Sequence, residues 1–400
     1  MQFAKSSGEL IKDLLPYVDA KKSNTNFDKM LLTIYSDILK GDEFVNHKIK
    51  QNCFKTHIRG KSELIQSSLL EGKFVPVDVR AFIKEKTIKQ LTYKCHINER
   101  IVNVIFSLFS DDELNFLEKY DHYIRFIYTW LYICQEYSSK KCSNEITIYI
   151  NFTPYKKVLP TNPTHILGVD NVNTALTYIC SPKGEMLIFR QEEWMKVFIH
   201  ETFHSFGFDL GLHNNGNSKV RMHSLFEIES DFEISECYTE VWARILNSAF
   251  NSFYSTNDKT NIGDFLLYMH FCLKVERLMS INQLVKVLNY MGLSYKTLYD
   301  KSDTSVLLRR NLYRENSNVF AYYVLGGILM NNVNLFIKWC FVNNTSLFQF
   351  SNNPMNVNKF IDLIIKEHNS STLLRTINKL SKKQSKNKFV KTNLRMTAIE

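Results

Sequence analysis

Residues 200–204 read His-Glu-Thr-Phe-His, and this string constrains the fold more than any other part of the 400-residue chain. On a helix, two histidines four residues apart share a face, because four residues turn through about 400° and the imidazoles leave one turn apart. The flanks predict a helix from about Gln191 to Phe206. Glu192 and Glu193 fall in its first turn, where the helix dipole favours acids, and Gly207 follows its end, where a left-handed residue is favoured. Immediately upstream, Thr174–Cys180 (TALTYIC) and Glu185–Arg190 (EMLIFR) flank Ser-Pro-Lys-Gly and read as a β-hairpin feeding the helix.

The surrounding chain predicts an α+β organisation. The first 85 or so residues look mainly helical and amphipathic, as in Phe27–Leu39 (FDKMLLTIYSDIL). Lys89–Phe109 holds two β-rich runs around Asn98-Glu99, a second hairpin. Asp111 and Asp112 would cap a long helix through Cys134, and Ile146–Phe152 (ITIYINF) alternates like a half-buried strand. Residues 211–224 read as a polar loop, Ile234–Phe250 as a helix, and 262–370 as further helices. The expected divisions are 1–85, an N-terminal helical region; 86–255, a domain of mostly antiparallel sheet, active helix and acidic helix; 256–372, a helical region; and 373–400, a basic tail.

A pair of neutral imidazole nitrogens on one helix face can hold Zn²⁺ at about 2.0–2.1 Å. Glu201 follows the first histidine, so its carboxylate lies beside such an ion and can accept a proton from an activated water. A zinc site needs a third protein ligand and an open position. A third histidine ten residues after His200 is absent, because position 210 is Leu. Asp209 serves if the chain turns sharply at Gly207. Glu236 and Glu240, in Ser235–Arg244 (SECYTEVWAR), are again four apart; one can bind metal while the other accepts a histidine N–H and fixes its tautomer.

HETFH followed by ECYTEVWA resembles the gluzincin branch of the zincin metallopeptidases. The resemblance implies a zincin-like fold, one Zn²⁺ per chain, a polypeptide substrate, Glu201 as general base, Glu236 as third ligand and Glu240 as a carboxylate buttressing the first histidine. The chain departs from the pattern in having Ser235 where Asn usually precedes the ligand, and Glu instead of Asp at 240. The longer string EEWMKVFIHETFHSFGFDL also resembles hypothetical zinc peptidases encoded by large DNA viruses. Zincins commonly present an edge strand to an extended substrate, a role that falls on Asn173, Thr174 and Ala175. An oxyanion donor is expected too, and Tyr322, Tyr323, His223 and His270 are the candidates.

Composition bounds the rest. Hydrophobic residues make up 44% and charged residues 22%, enough apolar side chain for a sizeable core. No hydrophobic signal segment opens the chain, and no apolar run reaches the ~18 residues of a membrane span. Val319–Met330 comes closest and reads as a buried helix. Eight Cys without a CxxC pair suggest reduced thiols and an intracellular, cytoplasmic protein, in a host cytoplasm or virion if the viral resemblance holds. Net charge is +10, but eight Lys/Arg and one acid lie between Leu373 and Glu400, leaving +3 for the rest. That segment reads as a solvated tail, a contact for an acidic partner or nucleic acid, or a localisation signal. Phosphate loops, nucleophile elbows and dinucleotide fingerprints are absent from the sequence. Two rivals to a peptidase remain: a zinc-binding pseudoenzyme with an assembly role, and a binding protein using its basic tail.

Overall fold

Among the described residues six strands make one sheet: β1 (Lys55–Arg59), β2 (Lys89–Ile97), β3 (Arg100–Leu108), β4 (Glu145–Asn151), β5 (Ala175–Thr177) and β6 (Lys183–Ile188). The helices are α1 (Lys5–Leu14), α2 (Thr25–Lys50), α3 (Val77–Lys86), α4 (Leu117–Tyr137), α5 (Val169–Val172), α6 (Trp194–Ser205), α7 (Gly216–Phe226), α8 (Ile234–Ser255), α9 (Ile262–Tyr290), α10 (Tyr295–Tyr299), α11 (Asp303–Leu312), α12 (Gly326–Met330), α13 (Val333–Asn343), α14 (Pro354–Glu367), α15 (Ser371–Ser381) and α16 (Lys388–Thr392). This computed structural model describes residues 3–19, 25–51, 53–213 and 216–400. The chain divides into a helical unit (Met1–Met30, Lys157–Asn173, Asp209–Glu400) and a sheet unit (Leu31–Lys156, Thr174–Phe208). The α+β expectation holds, with a mostly antiparallel sheet and a helical C-terminal region.

In the sheet unit the strand order is β1-β2-β3-β4-β6-β5. β2 and β3 form the expected hairpin, with Ile97 opposite Arg100 across a two-residue turn in which Asn98 takes φ 51°. β3–β4 and β4–β6 pair in parallel, whereas the other three pairings are antiparallel. Both sheet faces are covered. Phe106 on β3 meets Tyr120 and Tyr123 on α4, while Leu187 on β6 packs with Val79 and Ile83 of α3. Strands buried on both faces favour continuous apolar runs, and β3 is one: Val104, Ile105, Phe106 and Leu108 are at most 2% exposed.

α6 is the apolar helix of this unit. Its Trp194 ring lies 4.8 Å from Tyr123 and 5.7 Å from Phe126, centroid to centroid, and Phe198 packs on Phe126. Trp130 Nε1 donates to Thr202 Oγ1 at 2.6 Å, pinning the last turn of α6 to α4. Each such aromatic burial contributes roughly 1.5–3 kcal/mol.

The helical unit is built around α8 and α9, whose side chains are buried along most of their lengths. α12 approaches α9 closely at Gly327, where an added Cβ would stand 2.9 Å from Leu284 Cδ1. Among the described residues no single helix is long and apolar enough to cross a membrane. The stretch foreseen as a buried helix is one, but its first part, Phe320–Leu325, is a π-helix that continues into α12.

Three sequence expectations change, and one strand is unforeseen. The first 85 residues are mainly helical, with Lys55–Arg59 adding β1 beside β2, a short, mostly polar edge strand that carries no alternation signal. The 211–224 loop contains most of α7; its Asn214 and Asn215 lie outside the described residues. Residues 373–400 are not a solvated tail, because α15 and α16 fold there and Asn393–Ile399 are at most 2% exposed. Finally, Cys142 and Cys180 form a disulfide in place of the expected reduced thiols; the other six cysteines form no disulfide.

Candidate metal centre

α6 starts at Trp194, so Glu192 and Glu193 precede the helix instead of forming its first turn, and Glu193 is the N-cap at φ 61°. Its end is as foreseen. Gly207 takes φ 73° and donates its N–H to the His204 carbonyl at 3.1 Å, while Phe208 N–H reaches back to the Phe203 carbonyl at 2.8 Å. These two bonds are the Schellman closure, and the Phe203 and Phe208 rings add its hydrophobic contact, 5.2 Å between centroids.

His200, Glu201 and His204 are 5%, 7% and 6% exposed. The His200 and His204 Nε2 atoms are 3.2 Å apart. Two ligands about 2.0–2.1 Å from a tetrahedral ion lie roughly 3.3–3.4 Å from each other. The imidazole pair therefore fits one zinc ion without rearrangement of the helix. Glu201 sits about 100° around the helix from His200, buried beside the same turn.

The proposed peptide-binding strand is shorter and shifted. Asn173 ends α5 in the helical unit and accepts a hydrogen bond from Ser317 Oγ, so it is not part of the strand. Thr174 is buried, and its carbonyl accepts from Phe189 N at 2.9 Å. Ala175 opens β5, which is a sheet edge. Tyr178 N also bonds towards β6, at Glu185 O, so alternation turns the amides of Ala175 and Thr177 away from β6.

In the helical unit Glu236 lies in the first turn of α8, half-buried, and its Oε2 accepts from Tyr322 Oη at 3.1 Å. The two are held by one knot of loop contacts. Asn318, at φ 52°, accepts the Glu233 N–H at the start of α8. Glu315 accepts the N–H groups of Val319 and Phe320 at the start of the π-helix that carries Tyr322. Burial pushes the Glu315 carboxyl up to about 7, opposed by those same amide donors.

The other candidates separate. Tyr323 is buried and donates to the Leu394 carbonyl at 2.6 Å, a structural bond. His223 directs Nδ1 to the Ile228 carbonyl at 3.1 Å and packs on Phe232. His270 pairs with Asp28 at 2.7 Å. Glu240 is fully buried and takes Arg244 Nε at 2.8 Å, so that i, i+4 ion pair belongs to the core and not to the helix surface. Asp209 Oδ2 lies 2.8 Å from His213 Nε2. His213 is the residue sequence reasoning passed over; its spacing of four from Asp209 was the available signal.

No protein-family model matches the chain, and comparison with curated proteins and with solved structures finds none similar to it.

Proposed function

We propose that this chain is a zinc-dependent peptidase, with His200, His204 and Glu236 as metal ligands and Glu201 as general base. The observation that carries the reading is the 3.2 Å approach of two buried Nε2 atoms on one helix, with a buried glutamate at the intervening turn. Histidine nitrogens and a carboxylate suit Zn²⁺, which acts as a Lewis acid and lowers the pKa of a bound water towards ~7. Glu201 takes the proton of the attacking water and delivers it to the leaving amine. Tyr322, already oriented by Glu236, donates to the developing oxyanion. Glu240 remains the proposed buttress, and Asp209 the alternative ligand. The substrate lies extended beside the amides of Ala175 and Thr177.

Polyanion binding, the rival reading, now rests on Arg375, Lys379, Lys382, Lys386, Lys388 and Lys391, which stay exposed on and around α15 and α16.

Glu201→Gln tests the proposal. It keeps the side-chain size and removes the base, so zinc content should be retained while hydrolysis of a mixed peptide library falls on the order of 10²–10⁴-fold. Unchanged hydrolysis would overturn the assignment of Glu201. Zinc retained with no hydrolysis by the parent chain would favour the pseudoenzyme.

A further inference from the structure

The last four carbonyls of a helix lack partners within it. In α6 those of Thr202 and Phe203 take the N–H groups of Phe206 and Phe208. The other two draw donors from distant loops. The His204 carbonyl accepts Cys180 N–H at 3.1 Å in addition to Gly207 N–H, and the Ser205 carbonyl accepts Ser143 Oγ at 2.8 Å. Ser143 stands just before β4, and Cys180 lies between β5 and β6.

These two loops are locked to each other. The Cys142–Cys180 disulfide joins them, and Ser143 N–H donates to the Ser181 carbonyl at 2.7 Å. Arg100 donates to the carbonyls of Cys142 and Ser143, with its guanidinium 5.0 Å over the Phe206 ring. Ser143 and Cys180 adopt φ 49° and 43°. Non-glycine residues held there cost on the order of 1–3 kcal/mol each and persist only where the surroundings over-determine them.

We propose that Ser143 and Cys180 are positioning residues for the metal-binding turn of α6, and that the Cys142–Cys180 disulfide makes their hold redox-dependent. The proposal rests on the zinc reading above. Cys142 is buried and Cys180 is partly exposed, so a dithiol reductant enters at Cys180 Sγ. One reductant thiolate attacks that sulfur, forms a mixed disulfide and expels the Cys142 thiolate, which takes up a proton. The second reductant thiol then closes the reductant's own disulfide and expels the Cys180 thiolate, which is protonated in turn. Two electrons and two protons pass to the protein. The Cys180–Ser181 loop then loses its covalent tether, and both outside donors to α6 loosen.

The full-length chain, purified without reductant, should show six alkylatable cysteines in denaturant, and eight after reduction. Zinc affinity is measured by competition with a chromophoric chelator, after the reductant has been removed from an alkylated sample. The reduced, alkylated chain and C142S/C180S should both bind zinc roughly 10-fold more weakly than the oxidised chain, the lower end of what loss of ligand-orienting contacts costs. Ser143→Ala, which keeps the disulfide, should show a smaller loss, and Cys53→Ser none. Equal affinities in the oxidised chain and C142S/C180S would overturn the proposal, as would eight reactive thiols at the start. If the oxidised chain binds no zinc, the metal reading fails on its own. The latch is then read by hydrogen exchange. The amides at positions 180, 207 and 208 should be about 10-fold less protected in C142S/C180S, and unchanged protection would refute it.

Discussion

Tyr322 and Tyr323 are adjacent, yet one hydroxyl meets the Glu236 carboxylate and the other the Leu394 carbonyl. Conservative removal of each hydroxyl should therefore have opposite consequences. Tyr322→Phe should lower kcat by on the order of 10-fold or more while leaving zinc content unchanged, as expected for an oxyanion donor. Tyr323→Phe should leave kcat unchanged and lower stability by about 1 kcal/mol, the typical worth of one buried hydrogen bond. Steady-state kinetics and urea titration of the two variants check this; the same kinetic loss in both would remove Tyr322 from the site. The histidine pair was legible in the sequence because i, i+4 spacing on any helix brings two side chains together. The choice between the tyrosines was not, because it is made by a π-helical stretch whose extra residue per turn leaves no periodic mark.

Among elements, α6 was the most legible, because its stop is written in one residue. At φ 73°, Gly207 occupies backbone space that a Cβ disfavours. Gly207→Ala should cost about 1–2 kcal/mol in urea unfolding. A neutral result would mean the helix ends by another route. The β2–β3 hairpin was legible for the related reason that Asn98 tolerates a left-handed conformation. α7 was not, since Gly216, Asn217 and Ser218 have low helix propensity and only tertiary packing of Met222 and Phe226 offsets it. The parallel β3–β4–β6 core was also hidden. Parallel neighbours are joined through long connections, and no local pattern records which strands will pair.

On the scale of the molecule, the positive charge near the C-terminus misled because burial of charge depends on partners far away in sequence. Arg395 is buried, bonded to Ser6 and Ser7 and paired with Glu400 at 2.8 Å, and Lys383 pairs with Asp13. Glu276 organises the same segment. Its Oε1 accepts from Thr397 Oγ1 and from the N–H groups of Ala398 and Ile399, while burial pushes its carboxyl up to about 7, against the pull of Arg244. A carboxyl whose folded pKa is raised favours folding below its unfolded pKa, near 4.5, and loses that contribution as pH rises through about 7. The parent chain should therefore lose stability relative to Glu276→Gln between pH 5 and pH 7, by on the order of 2–3 kcal/mol in urea titrations. Parallel pH profiles would show that Glu276 stays ionised throughout.

The stoichiometry of zinc bound to the chain is the most direct test of the central claim, because a single N–H···N hydrogen bond between the His200 and His204 rings would span the same 3.2 Å that zinc ligation does. Elemental analysis of the full-length protein at neutral pH should find one zinc per chain, and loss of it in both His200→Ala and His204→Ala. Less than about half a zinc per chain in the parent, or an unchanged content in the two variants, would contradict the account.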